Sequence, residues 1–230
     1  MFKVAIDAGH FPNTAGKRSP DGTLREYQFN SAVANHLSGM IVEHENVGYN
    51  FMHEDGQDVP LAERARRANA YGAHVYISIH ANAHGDGGFT TANGVEVFVL
   101  KKTLTEATKL ATHAVNNIAS IKGQTNRGVK EGNFQVLRDT KMTAILVEAG
   151  FMTNQMELEY LKSNDYRYAV ARAIMDALVA VYGLKKKAVP APAPTKLYKV
   201  TSQHYVTVEQ AQRTVDLLKE HNLYSFIEEA

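Results

Sequence analysis

The sequence predicts an α/β fold, a mixed and mostly parallel central sheet flanked by helices, followed by a small C-terminal strand-helix-strand module. Two observations predict the main part. Short β-branched apolar runs each end abruptly in an acid or a histidine, and long amphipathic stretches alternate with them from residue 2 to about residue 183. A third, an alanine-proline tract beyond that point, predicts how the chain divides.

Phe2-Lys3-Val4-Ala5-Ile6, leading into Asp7-Ala8-Gly9-His10, is too short for a typical helix and reads as a buried strand. His74-Val75-Tyr76-Ile77-Ser78-Ile79 before His80, and Ala144-Ile145-Leu146-Val147 before Glu148, read the same way. Helices are predicted over residues 24–41, 61–71, 105–120, 157–161 and 166–182. The last carries Val170, Ile174, Leu178 and Val181 as one apolar stripe, and Gly183 offers a stop. These elements define a predicted catalytic domain over residues 1–183. Residues 184–196, with Lys185-Lys186-Lys187 and then alternating alanine and proline, predict a semi-rigid spacer. Beyond it, residues 197–202 read as a strand, 208–221 as a helix capped by Thr207 with Gln210 three on, and 223–229 as a strand. A module of residues 197–230 cannot bury a stable core alone, so it should pack on the main domain or on its own copy in a homodimer, the second being preferred.

Composition narrows the function classes. At 230 residues and 44% hydrophobic content, the chain has enough material for one good-sized core. A net charge of +1 provides no whole-chain field for nucleic acid, and no stretch approaches the roughly 20 apolar residues that span a bilayer. With a strand predicted to start at Phe2, the expectation is synthesis in the cytoplasm without a signal peptide. The absence of cysteine removes disulfides and thiolate metal sites, so any zinc must be held by histidine and carboxylate.

Open α/β sheets place their sites beyond the carboxyl ends of the strands, where His10, His80 and Glu148 fall. Gly9 is expected to let the backbone turn so that His10 projects from the sheet edge; the alternative is an ordinary loop histidine. Glu26 has two readings. Thr23-Leu24-Arg25-Glu26 fits a capping box, yet Glu26 also heads the helix face of Phe29, Val33, Leu37 and Met40, where a buried carboxylate needs a partner such as an ion. His80 is the stronger ligand candidate of the two histidines, whereas His84, farther into a polar loop, reads as solvated. Glu148 is hard to explain as packing; it suits a general base, or else a salt bridge to Arg64, Arg127 or Arg138. Arg64, Arg66 and Arg67 read as a solvated helix face, and residues 126–130 as a basic turn. Two histidines and a glutamate with an acid beside them point to a metal-dependent hydrolase.

In order along the chain stand Ile6-Asp7-Ala8-Gly9-His10, Glu26, Leu61-Ala62-Glu63-Arg64 with Ala68-Asn69, and Ile77-Ser78-Ile79-His80-Ala81-Asn82-Ala83. Gly94-Val95-Glu96-Val97-Phe98, Arg127-Gly128-Val129-Lys130 with Phe134-Gln135-Val136-Leu137, and Leu146-Val147-Glu148-Ala149-Gly150-Phe151-Met152-Thr153-Asn154 follow. As an ordered set, covering about residues 2–182, this resembles the zinc-dependent N-acetylmuramoyl-L-alanine amidases of the type-3 amidase family, found in bacterial autolysins and phage endolysins. The resemblance implies that His10, Glu26 and His80 hold Zn2+ and that Glu148 is the catalytic acid/base. The substrate it implies is bacterial peptidoglycan, cut between muramic acid and L-alanine after the enzyme is released by phage or mother-cell lysis. The first loop, Phe11-Pro12-Asn13-Thr14-Ala15-Gly16-Lys17-Arg18, departs from the family's more glycine-rich stretch, which bears on substrate preference. The tail, with Tyr198-Lys199-Val200 and Tyr224-Ser225-Phe226-Ile227, resembles half of a sporulation-related, peptidoglycan-binding repeat. The rivals are a zinc carboxypeptidase acting on the stem peptide and a non-catalytic wall-binding protein.

Overall fold

Strand runs as apolar as Val75–Ile79 are stable only when both faces are covered, and the fold provides that cover. The computed structural model describes residues 1–188 and, farther on, Gln212, Arg213 and Asp216. The chain divides into a unit Met1–Lys187 and a unit Ala188–Ala230. In the first, β1 (Phe2–Ala8), α1 (Glu26–Ile41), β2 (Val47–Phe51), α2 (Leu61–Tyr71), β3 (Val75–Asn82) and β4 (Val95–Val99) are followed by α3 (Thr105–Ser120), β5 (Asn126–Glu131) and α4 (Gln135–Arg138). β6 (Thr143–Phe151), α5 (Gln155–Lys162) and α6 (Asn164–Tyr182) complete it. The six strands lie in the order β2-β1-β3-β6-β4-β5. All neighbours are parallel except β4 and β6, so the sheet is mixed and mostly parallel, as the sequence predicts.

Alternation along the central strands separates two unequal faces. Val4, Ile6, Ile77, Ile79, Ile145 and Val147 enter a large core with Phe29, Val33 and Leu37 of α1, Leu110 and Ile118 of α3, and Val170, Ile174 and Leu178 of α6. The other face has a smaller cluster of Ala5, Tyr76, Leu146, Ala68, Val136 and Leu137, covered by α2 and α4. Asp7, Ser78, His80 and Glu148 alternate onto this thinner side.

Several local expectations are corrected. α1 begins at Glu26, not at residue 24, because the Thr23 amide donates to Asp21 Oδ1 (3.0 Å) and the Arg25 amide to Gln28 Oε1 (2.9 Å). The capping interaction thus belongs to Arg25 and Gln28, and Glu26 is released from that role. Residues 126–130 belong to β5, an edge strand, and not to a turn. β2, β4 and α4 have no counterpart among the elements read from the sequence. The chain also stays ordered past Gly183: the Glu45 amide donates to Lys185 O and the Lys187 amide to Glu43 O, both at 2.8 Å, so the three lysines follow the end of α1 and are not free spacer.

Within the unit Ala188–Ala230, Gln212, Arg213 and Asp216 are helical, and Gln212 Nε2 donates to Asp216 Oδ1 at 2.9 Å. The rest of the predicted 208–221 helix, the alanine-proline tract from residue 189, the strands at 197–202 and 223–229, and the homodimer reasoned from them lie outside the described residues. Among the described residues no helix is long and apolar enough to cross a membrane.

Arg64 overturns its reading as a solvated residue. It is 2% exposed, pairs with Asp7 through Nη1 (2.8 Å), and spends its remaining donors on the carbonyls of Ala8, His10 and Val59 at 2.6, 2.7 and 2.8 Å. Removing one partner of such a pair strands a buried charge, so R64M should lower unfolding stability by about 3–5 kcal/mol, read by urea titration. The double variant D7L/R64M should recover most of that loss, because the stranded carboxylate goes too.

Candidate metal centre

The site is assembled at the carboxyl ends of β1 and β3 and the first residue of α1. Gly9 serves differently from the sequence reading. A Cβ there would lie 2.0 Å from His80 Cε1, so the missing side chain makes room for the His80 imidazole. The positive φ falls instead on His10, at 65°, a conformation that few side chains other than glycine adopt. It is held from both sides: Arg64 Nη2 donates to the His10 carbonyl and Asn30 Nδ2 to the Gly9 carbonyl at 3.0 Å.

So held, His10 Nε2 lies 3.2 Å from Glu26 Oε2, and His80 Nδ1 lies 3.0 Å from Glu26 Oε1. The two imidazoles meet edge-on with centroids 5.0 Å apart. One donor atom from each of His10, Glu26 and His80 falls within 4.8 Å of the others, and the three could hold a metal ion. The donor set fits zinc, which takes histidine nitrogen and carboxylate oxygen at about 2.0–2.2 Å and leaves neighbouring ligand atoms about 3.4 Å apart in a tetrahedron. Glu26 is 2% exposed. Burial would raise its carboxyl, but hydrogen bonds from His10 and His80 outweigh that and hold it well below the ordinary range. Burial likewise works against a charged His80, while Glu26 pulls it above its usual value.

Glu148 is the fourth predicted site residue, and it stands directly across from His80 in the β3–β6 register. Its Oε2 is buried and has no hydrogen-bond partner. The arginines offered as alternatives are all committed: Arg64 to Asp7, Arg127 to Glu96 at 2.8 Å, and Arg138 to Asp139 at 3.1 Å. Burial pushes the Glu148 carboxyl up to about 8, helped by the negative charges of Glu26 and Glu96 and opposed by His80 and Lys17. Glu148 is therefore largely protonated at neutral pH in the metal-free protein, ready to donate or to be deprotonated by a nearby cation.

These residues line a cleft of about 370 Å³, with Leu61, Phe134, Val136 and Met152 as its apolar wall and Lys17 and Asn82 among its polar groups. His84 is exposed, as expected, and lies outside the cleft lining. Sequence reasoning missed the support around the site. Ser78 Oγ donates to Asp7 Oδ2 at 3.0 Å, and Glu96, paired with Glu148 in the antiparallel register, accepts from Asn82 Nδ2 (2.7 Å) and Arg127. One signal for Glu96 was available, a lone acid inside the strand run Val95-Glu96-Val97.

A profile of N-acetylmuramoyl-L-alanine amidases matches residues 4–180. The chain is similar to the N-acetylmuramoyl-L-alanine amidase CwlM of Bacillus licheniformis, 33% identical over 201 residues that cover 87% of this chain and 74% of that protein. Among solved structures it is similar to the N-acetylmuramoyl-L-alanine amidase from Clostridium difficile 630, with a TM-score of 0.74 and 30% identity over 79% of this chain and 97% of that one. It is also similar to the catalytic domain of CwlV from Bacillus (Paenibacillus) polymyxa var. colistinus, with a TM-score of 0.73 and 29% identity over 80% of this chain and all 100% of that one. Profile, relatives and fold agree, and the chain belongs to the type-3 family of N-acetylmuramoyl-L-alanine amidases.

Proposed function

We propose that this chain is a zinc-dependent peptidoglycan hydrolase that cleaves the amide between N-acetylmuramic acid and the L-alanine of the stem peptide. The observation that carries the chemistry is Glu148, whose Oε2 is buried without a partner, lying across from His80 beside the His10–Glu26–His80 set. His10, Glu26 and His80 are the proposed ligands. Zinc held there would supply Lewis acidity, polarising the lactyl carbonyl and lowering the pKa of water. Glu148 then takes the proton of the attacking water and passes it to the alanine nitrogen as the amide opens, so the leaving group departs as a neutral amine. The apolar wall of Leu61, Phe134, Val136 and Met152 keeps bulk water from this transfer. Glu26 meets both imidazoles with separate oxygens, so the donor atoms of the three residues already converge on one point. We assign residues 188–196, the part of the predicted spacer beyond the packed lysines, as a tether and 197–230 as a wall-binding or dimerising module, on composition and patterning.

Products separate this reading from a stem-peptide carboxypeptidase: the amidase frees an L-alanine amino terminus and muramyl lactate, whereas the carboxypeptidase frees D-alanine. With purified walls, E148Q should keep about one zinc per chain while its lysis rate falls by about 10²–10⁴-fold. H80A should lose the metal as well as the lysis. Zinc analysis beside a turbidity assay checks both, and wall lysis by E148Q at the parental rate would sink the assignment of Glu148.

A second expectation concerns pH. Glu148 is raised in the folded chain from an ordinary 4.5 to about 8, so between those values the folded state keeps a proton that the unfolded state releases. That contribution is fully present below about 4.5, is lost as pH rises, and levels off above about 8. Chelator-treated E148Q, which has no such proton, should match the parent near pH 5. It should melt several degrees above the parent by pH 8, at about 2–4 °C per kcal/mol for a chain of this size. Parallel thermal melts give the difference directly.

A further inference from the structure

The cleft holds five residues of fixed charge type: Asp7, Lys17, Glu26, Arg64 and Glu148. Asp7 and Arg64 neutralise one another, and Glu26 is engaged by two histidines. Among the described residues, Lys17 alone of the two cations has no hydrogen-bond or ion-pair partner for its side chain. It lines the same cleft as Glu148 and the proposed ligands.

Lys17 is not a stray surface residue, because its backbone is tied to the site. The Glu26 amide donates to the Lys17 carbonyl at 3.0 Å, the Arg18 amide to Gly16 O at 3.1 Å, and residues 18 and 25 form an antiparallel bridge. The loop before it is closed by Thr14, whose Oγ1 accepts from the Phe11 amide at 2.9 Å. The lysine is thus built onto the residue that presents Glu26 to His10 and His80. The anchored backbone places an exposed lysine side chain at the edge of the cleft.

Building on the amidase reading, we infer that Lys17 is a specificity residue that recognises the free α-carboxylate of the second stem residue, the γ-linked D-glutamate. In that reading Glu148 touches the leaving alanine nitrogen, and Lys17, a cation lining the same cleft, meets the stem peptide that continues from that nitrogen. The α-carboxylate of the second residue is the first negative charge met in that direction. At about 3.4 Å per residue it lies within roughly 7 Å of the scissile nitrogen, whereas the carboxylates of later residues are farther off. Across the cleft, Phe134 and Leu61 are 39% and 50% exposed and carry no charge, so that wall cannot compete for the anion. Bacteria whose second residue is amidated present a neutral carboxamide at this point, and Lys17 discriminates against it because the carboxamide oxygen accepts without the negative charge that strengthens the contact.

The test uses two purified muramyl tetrapeptides that differ only in carboxylate or carboxamide at that position, with metal-loaded enzyme and kcat/KM read by chromatography of the released peptide. The parent should prefer the carboxylate by about tenfold, the size expected for one charge-assisted hydrogen bond. K17M should bring the ratio to near one, K17R should restore most of it, and raising salt should shrink the parental preference. Equal rates of the parent on both peptides, or a K17M ratio equal to the parent's, overturns the inference and leaves the amidase reading intact. A parent that cleaves neither peptide overturns the amidase reading and the Lys17 inference with it.

Discussion

A guanidinium sealed beneath the cleft fixes the frame on which the candidate metal centre stands. Arg64 gives its donors to Asp7 and to three carbonyls, two of which, those of Ala8 and His10, mark the point where β1 ends. Burying this pair removes two charges from water, and the attraction between them offsets that cost only because the carbonyls and Ser78 satisfy the remaining donors and acceptors. Burial alone would raise the Asp7 carboxyl, yet Arg64 holds it below the ordinary range, which keeps it charged and the contact intact. What the arrangement secures is geometry. His10 sits at a φ of 65°, and the Arg64 donor on its carbonyl, together with Asn30 on the carbonyl before it, offsets that strain.

The two faces of the sheet divide the remaining work. The side packed by α1, α3 and α6 buries the larger apolar cluster and so carries most of the fold's stability. The side under α2 and α4 buries far less, which leaves space there for polar side chains and a cleft. Because residues alternate along a strand, Asp7, Ser78, His80 and Glu148 all emerge on this second side once Ile6, Ile77, Ile79 and Val147 have been committed to the first. A slip of one residue in the β3–β6 register would exchange the sets, burying the histidine and the acid in the main core. The register is therefore defended by hydrophobic burial on the face opposite the chemistry.

Legibility in the sequence followed the range of the interactions. The strands leading to His10, His80 and Glu148 were readable because a buried apolar run is a local pattern. Their ends were not: β3 continues to Asn82 and β6 to Phe151, so His80 and Glu148 lie within their strands. Glu26 was ambiguous between a capping-box acid and a buried carboxylate in need of a partner, and Gln28 removes the first reading by taking the Arg25 amide. Arg64 was misread because α2 carries three arginines and the one that turns inward does so for Asp7, 57 residues earlier. β5 was missed because Asn126, Arg127, Lys130 and Glu131 are all polar, as an edge strand with a single neighbour permits. Gly9 was recognised as special but for the wrong cause: a glycine that admits a ring from a neighbouring strand leaves the same trace in a sequence as one that turns.

Two glutamates share one cleft, and their surroundings push them apart. Glu26 receives contacts from two imidazoles and from the Ala81 amide at 3.3 Å, all of which favour the carboxylate. Glu148 is partly buried, but its buried Oε2 has no donor facing it, and both Glu26 and Glu96 add negative potential. Desolvation raises both carboxyls, so it cannot be what distinguishes them; the number of hydrogen-bond donors is. A carboxylate surrounded by donors stays ionised and makes a ligand, whereas one left without them holds a proton near neutrality and can transfer it. Placing Glu148 on a strand between His80 and Glu96 achieves this, because its strand neighbours offer it one imidazole and one acid, and neither Arg127 nor Arg64 is free to turn toward it.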